Sequence, residues 1–485
     1  MDASAQRSTK AGLFLLICHN RLTLFIVLVL LLSACALATT HYAVSEQQLA
    51  AHDPAAADRT IAQEVQKYGA NNRLLYLLDR GMSLSTAGRL AESNKFLDEA
   101  TVLSDQLYTE SVSRHAVALL TNDNALPYVG EDFERVMIHL VSALNYAQLD
   151  LIDDALVECR RMETQLNRIN DQYREKKNRY KEDAFAHYLS GILYEARGEI
   201  NEAFLSYRKA HEIYEDWVTA YTIPLPGIIG ADLLWTTHAL GLQDTHKDYK
   251  KDFPNVDWIN SRPTPSQGEI ILVSMHGKSP YKKDLFFDVV LNKDILTSVV
   301  STAVWQAHVG SGEVPISLLG QLVRVTLPQY VAQKSNVKQM QTRLYGAASW
   351  SASSVLMEDI TAIAVKNLED RMNRIRMKAI ARSAIKAIAV RKSSVKAEKE
   401  LGGLGGFAIG KMAEAIAATT EVADKRSWRT LPNQIHLTRI VVPAGAYQVS
   451  TEFIDQNGRR IDALPPQPLS VAAGKKRFVV LRTIY

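Results

Sequence analysis

Between residues 45 and 222 apolar side chains recur at the 3.6-residue spacing of amphipathic helices and prolines are few, so the stretch predicts a run of packed helices. Pro224 and Pro226 close it, and a short apolar helix over 228–242 and a polar linker over 243–267 follow. Residues 269–276 (EIILVSMH) form a continuous apolar run that reads as a buried strand, stopped by Gly277 and Pro280. Segments 285–291 and 337–345 are further strands, and 315–331 between them is apolar and irregular. Residues 356–400 hold neither Gly nor Pro and predict one long helix. A glycine-rich step over 401–410 leads into a second helix ending near Ala423, which makes a helical hairpin. From 434 the period changes to two, Asn457-Gly458 marks a hairpin turn, and the last strand covers 477–484. The expected fold is α+β: an irregular helical solenoid, then an α/β part with the hairpin and a small antiparallel sheet over 434–485, joined by strands from 269–345.

A register repeats inside the helical run. Gly191, Tyr194, Gly198, Ala203, Tyr207 and Ala210 stand at offsets 0, +3, +7, +12, +16 and +19. The same offsets carry Gly81, Leu84, Gly88, Ser93, Leu97 and Ala100, and again Ala143, Tyr146, Asp150, Ala155, Cys159 and Met162. Small residues at 0 and +12 let two antiparallel helices approach, and larger ones at +3 and +16 fill the space between neighbouring pairs. The pattern resembles the tetratricopeptide repeat. A degenerate copy is expected around 110–126, and the helix through 160–180 is expected to overrun its normal end. The resemblance implies a binding face on the first helix of each pair, here presenting Gln148, Tyr188 and Glu195; the alternative is a plain solvated or packed face. Cys159, at a buried +16 position, reads as a core residue.

The amino terminus adds a targeting signal. Arg7, Lys10 and Arg21 precede an apolar run over 22–34, the layout of a secretory signal and short for a membrane span. Apolar residues at 11–18 would lengthen it as an uncleaved anchor, but His19-Asn20-Arg21 interrupts. The run ends Leu32-Ser33-Ala34-Cys35, which resembles a bacterial lipoprotein lipobox. That resemblance implies cleavage before Cys35 and acylation of its sulfur. Ala36, where inner-membrane retention uses Asp, implies the outer membrane. The chain then divides into a signal (1–34), an anchor linker (35–44), the helical repeats (45–222), a connector (223–267) and the α+β part (268–485).

Composition narrows the chemistry. Hydrophobic residues make up 47% of the 485 and charged residues 22%, enough apolar content for real cores. A net charge of +4 is too mild to argue for nucleic acid, and three cysteines leave no disulfide scaffold. Gly277-Lys278-Ser279 lacks the upstream glycine of a phosphate loop, since residue 272 is Leu. The twelve histidines show no metal-ligand spacing, so neither metal nor cofactor is expected. His276 at a strand end is the one position around which an envelope hydrolase or transferase site would be built, with Lys278 beside it.

Residues 366–399 carry eleven Lys/Arg against three acids. Arg371, Arg374, Lys378, Arg382 and Lys386 follow at helical spacing and read as a stripe for an anionic surface, whether phospholipid headgroups, lipopolysaccharide or an acidic partner; the alternative is a solvated helix face, or one paired with the chain's own acids. Gly402, Gly406 and Gly410, spaced by four, read as close contacts within the hairpin.

The stretches Tyr128-Val129-Gly130-Glu131-Asp132-Phe133-Glu134 and Ala423-Asp424-Lys425-Arg426-Ser427-Trp428-Arg429-Thr430-Leu431-Pro432, with the lipobox and His276-Gly277-Lys278-Ser279-Pro280, resemble an uncharacterised family of Gram-negative repeat-containing outer-membrane lipoproteins. The resemblance implies a periplasm-facing, lipid-anchored protein in an envelope assembly, with protein partners that include small lipoproteins, and it implies no catalytic residues. Locally, Asp424 is expected to stop the helix, Trp428 to pin the next strand, and Arg426 and Arg429 to pair with acids. The leading reading is therefore a non-enzymatic scaffold. A hydrolase or transferase near His276, and a structural part of a secretion or flagellar machine, are the alternatives.

Overall fold

The computed structural model describes residues 40–114, 124, 126–172, 180–309, 316–419 and 422–485. The signal segment, Cys35 and most of the degenerate copy expected at 110–126 lie outside these residues.

Helices α1 (Thr40–Ala50), α2 (Pro54–Gln63) and α3 (Val65–Tyr68) open the chain. Three pairs follow: α4 (Arg73–Thr86) with α5 (Leu90–Arg114), α6 (Asp132–Gln148) with α7 (Ile152–Gln172), and α8 (Ala184–Arg197) with α9 (Ile200–Tyr221). Each helix packs on the next along the chain. The register explains the pairs, with one refinement. A Cβ on Gly81 would come within 2.5 Å of Leu97, and one on Gly191 within 2.4 Å of Tyr207. Offset 0 is thus small because the bulky +16 residue of the partner helix lies against it. At +12, Ser93 Oγ donates to the Gly81 carbonyl at 2.7 Å. Offset +7 is where each first helix ends: Gly88, Asp150 and Gly198 all have positive φ, of 75°, 61° and 80°.

After α10 (Ile228–Ala239), the stretch read as a polar linker contains α11 (Gln243–Asp252). Its sequence is polar all round and no residue of it is buried, so no apolar period announced it.

The strands form three sheets. The first has the order β10 (Lys476–Arg482), β1 (Gln267–His276), β7 (Gln434–Pro443), β6 (Val355–Asp359). The second has the order β5 (Ser349–Ser353), β4 (Gln339–Tyr345), β8 (Gly445–Ile454), β9 (Arg460–Val471). The third is a ribbon of β2 (Tyr281–Val290) and β3 (Leu322–Val331). The expectation of one antiparallel sheet over 434–485 needs correction, because its strands divide between two sheets and β10 runs parallel to β1. The cause is β1, which is apolar on both faces: Ile271, Val273 and Met275 join a core shared with the helices, and Ile270 and Leu272 join the core of the second sheet. A strand buried on both faces takes neighbours on both edges and two covering layers. The hairpin at Asn457-Gly458 joins β8 to β9 as expected. The stretch at 315–331, read as irregular, contains β3, whose Val323, Val325 and Leu327 alternate into a third core.

That third core belongs to an arm made of the ribbon, two short helices, α12 (Lys293–Val300) and α13 (Ala303–His308), and α14 (Ile360–Thr419). Helical hydrogen bonding runs through all of α14 without the expected interruption at the glycines. Yet α14 is not straight. Arg371 pairs with Glu131, Glu131 with Lys282, and Asp284, two residues along β2, accepts from the Ala423 N–H. These contacts hold Arg371 and Ala423 within roughly 40 Å, whereas a straight helix would carry Thr419 about 70 Å from Arg371. The helix therefore curves along its length, and it contains Gly402-Gly403 and Gly405-Gly406, residues at which bending is cheap.

Candidate functional site: a filled interaction face

The first helices α4, α6 and α8 point one face at the first sheet. β10 lies on α4 and α6, and β6 lies on α8. Side chains of the helices complete the sheet's open edges: Gln148 Oε1 accepts from Val480 N at 3.0 Å, and Tyr214 OH donates to the Met357 carbonyl at 2.9 Å. An edge strand left open would template pairing with another chain.

Gln148, Tyr188 and Glu195, read as partner-facing, therefore do meet a partner, but it is the chain's own sheet. Tyr188 is fully buried and donates to Asp232 Oδ2 at 2.5 Å. Glu195 sits in a buried cluster of three carboxylates and three cations. Arg439 of β7 reaches Glu269 (2.5 Å), Asp232 (2.7 Å) and Glu195 (3.2 Å). Lys476 of β10 binds Glu195 at 2.8 Å and also contacts Glu269. Arg262 binds Glu195 at 3.0 Å and also contacts Asp232, and Tyr207 OH donates to Glu195 at 2.7 Å. Burial alone would raise the Glu195 carboxyl, but Lys476, Arg262 and Arg439 hold it well below the usual carboxylate range. The cluster is neutral as a set, which is what lets six charges sit away from water.

A second part of the seam joins the two stretches that carry the family resemblance. Glu134, at the third position of a capping box on α6, accepts from Trp428 N at 2.7 Å, from Glu131 N at 3.0 Å, and from Tyr128 OH. Burial and the neighbouring Glu131 push its carboxyl up to about 7. Burial opposes ionisation of Glu131 too, but Arg371 and Lys282 bring it down to about 2. Arg426 lies over the Tyr128 ring, 5.2 Å from its centroid, and donates to the Leu126 carbonyl at 2.8 Å while pairing with Asp424. Trp428 is buried and its indole donates to Thr430, whose hydroxyl donates to Asp79 at 2.9 Å. Asp79 also accepts from Tyr42 and Tyr68, and burial raises it to about 6. All these contacts tie segment 424–430 to α1, α4 and α6. No periodicity or spacing announces them; the two stretches stand out in the sequence only as the ones that carry the resemblance.

His276 offers little to a substrate. Its Nε2 lies 2.5 Å from Ser274 Oγ and its ring stacks on His436 at 4.3 Å, but both imidazoles are sealed between the two sheets. Burial lowers both pKa values, that of His436 to about 4, so both rings are neutral at pH 7. Lys278 pairs with Glu46 at 2.7 Å. Cys159 is buried, and burial raises its thiol to about 12.

The basic stripe does not form one exposed surface. Arg371 is half-buried against Glu131, and Arg382 is buried in the arm, while Arg374 is exposed and Lys378 and Lys386 are intermediate. The five share one side of the helix, but the neighbours of that side change along its length, from Glu131 at the seam to the ribbon's core around Ala379–Ile385. Among the described residues no group of three or more His, Cys, Asp or Glu is placed to hold a metal ion, and no helix is long and apolar enough to cross a membrane.

No known family profile matches the chain, and no curated protein matches it. Solved structures show a weak likeness. A crystal structure of MamA protein is 17% identical with a TM-score of 0.29, over 44% of this chain and 89% of that one. A MamA structure from Desulfovibrio magneticus RS-1, covering residue 41 to its end, is 14% identical with a TM-score of 0.28, over 47% of this chain and 97% of that one. Likeness at this level assigns neither fold nor function; the repeat reading rests on the register and its contacts.

Proposed function

We propose that this protein is an outer-membrane scaffold facing the periplasm, anchored by an acylated Cys35, that recruits protein partners within an envelope assembly. The observation that carries the reading is the array of three register-matched helix pairs, a construction whose use is to present surface. Because the first-helix face is spent on the chain's own sheet, recruitment falls to the opposite side. There the second helices expose Val102 on α5, Val157 on α7 and Leu205 and Val218 on α9. Val157 and Leu205 share offset +14 of the register.

Photo-crosslinking residues placed in the cell at positions 157 and 205 are expected to capture protein partners, and the same residue at 148 is expected to give only intramolecular adducts. If positions 157, 205 and 218 all capture nothing while the protein remains folded at its normal level, the scaffold reading fails. Fractionation of Cys35→Ser is the matching test of the anchor: the protein is expected to leave the mature outer-membrane lipoprotein fraction.

A further inference from the structure

The ribbon of the arm has two faces of unlike fate. Phe287, Val289, Val323, Val325 and Leu327 turn into the arm's core against Ala379–Ile385 of α14. On the other face Phe286, Asp288 and Val290 stand beside Thr326, Arg324 and Leu322, and at its distal end no described element covers it. Phe286 is 55% exposed, Val290 53% and Leu322 64%, and Val290 and Leu322 are direct cross-strand neighbours. The turn before β3 extends the patch. Ile316 is 81% exposed and Leu319 43%, and Gly320 N bonds to the Leu291 carbonyl at 2.9 Å, which folds this turn onto the end of β2. Five large apolar side chains grouped at one tip are not the scattered exposure of an ordinary surface.

Cations rim the patch. Arg391 of α14 donates to the Ser317 carbonyl at 2.9 Å, between Ile316 and Leu319, and remains exposed. Lys392 beside it and Lys293 at the start of α12 are exposed as well. Asp288, the one acid within the patch, is already matched by Arg324 at 3.0 Å. Among the described residues Asp294 is the remaining nearby acid, so the described rim keeps a positive balance. Exposed aliphatic and aromatic side chains ringed by Lys and Arg match the boundary of an anionic bilayer, where the hydrocarbon edge and the phosphates lie within a few ångströms of each other.

We infer that the tip of the arm is a membrane-surface contact, in which Phe286, Val290, Ile316, Leu319 and Leu322 enter the headgroup layer of an anionic bilayer while Arg391 and Lys392 engage its phosphates. This gives a role to Arg391 and Lys392, midway along α14 and beyond the stripe at 371–386, and it does not depend on acylation of Cys35. A second copy of the chain and an acidic protein are the competing occupants.

An acylated Cys35 would by itself bring the full chain to vesicles, so depth at the tip, not binding, is the readout. An environment-sensitive fluorophore on Leu322→Cys, in full-length protein reconstituted into phosphatidylethanolamine vesicles with and without phosphatidylglycerol, reports it. The expected result is a blue shift and at least a halving of emission by quenchers carried on the lipid chains, strongest with phosphatidylglycerol and weakened by R391E/K392E. The same probe at Val157→Cys is expected to keep its aqueous signal. A tip probe that stays aqueous and unquenched in both vesicle types overturns the inference. So does a concentration-dependent blue shift without vesicles, which would identify a second copy as the occupant. Neither outcome touches the scaffold reading, which rests on capture at 157 and 205.

Discussion

Arg439 and Arg391 mark two regions of the molecule that handle charge in opposite ways. Arg439 lies in the seam between the helices and the first sheet, fully buried, with three carboxylates around it. Arg391 lies on the arm, exposed, with one backbone carbonyl. In the seam the polar groups are matched across long sequence distances and dehydrated together, so each is essential to the others. On the arm the charges at the tip remain in water, although Arg382 is buried further back, so Arg391 is dispensable to the fold. The seam is where stability is concentrated, and the arm is where surface is left to act.

The largest test of that contrast is Arg439→Ala. It would leave Glu195, Asp232 and Glu269 buried with two cations, and breaking such a set costs about 3–5 kcal/mol. Thermal unfolding followed by circular dichroism should show a large drop in melting temperature, whereas Arg391→Ala should leave it unchanged. Equal effects at the two sites would abolish the distinction.

The next effect concerns pH. Glu134 is raised from its ordinary 4.5 to about 7. The folded chain therefore holds a proton there that the unfolded chain has released. The resulting contribution is fully present below pH 4.5 and is lost as pH rises through 7, by roughly 3 kcal/mol. Glu134→Gln removes that dependence, so the stability of the variant relative to the parent should climb between pH 4.5 and 7 in chemical denaturation. A flat difference would mean Glu134 is ionised throughout. The buried His276 and His436 act with the opposite sign, their lowered pKa values favouring the fold as pH rises, so the difference between the two proteins is the quantity to measure.

Smaller still is Gly191→Ala, whose methyl would lie 2.4 Å from the Tyr207 ring. Overpacking of this kind costs about 1–3 kcal/mol. Because Tyr207 also holds Glu195, the loss should not add simply to that of Arg439→Ala in a double mutant. The smallest effect is a gain: Asp150 at φ 61° occupies a position that is glycine in the other two copies. Asp150→Gly should stabilise by up to about 1 kcal/mol in the same denaturation assay.

Much of the array was legible in the sequence because helix packing within a pair is a local matter. The +7 glycines and the small-against-large pairing of 0 with +16 lie within twenty residues of each other. β1 was legible for the same reason, as an unbroken apolar run. α11 and β3 were missed on opposite grounds: α11 has no fully buried residue and a single half-buried hydrophobic side chain, Tyr249, which sets no period, and β3 has an apolar pattern interrupted by Pro328. The split of the final strands between two sheets was invisible because alternation in β7 and β8 is alike, while their partners lie elsewhere in the chain.

The sequence by itself determined three helix pairs and their register, a doubly buried β1, the turn at Asn457-Gly458, and a basic helix. Tertiary structure alone decided what those surfaces meet. It set the first sheet against Gln148, Tyr188 and Glu195, joined 128–134 to 424–430, and turned Arg371 and Arg382 inward. The physical reason is that periodicity reports which side of an element leaves water but not what replaces the water. A buried Glu195 reads like an exposed one until Arg439, 244 positions away, is folded onto it.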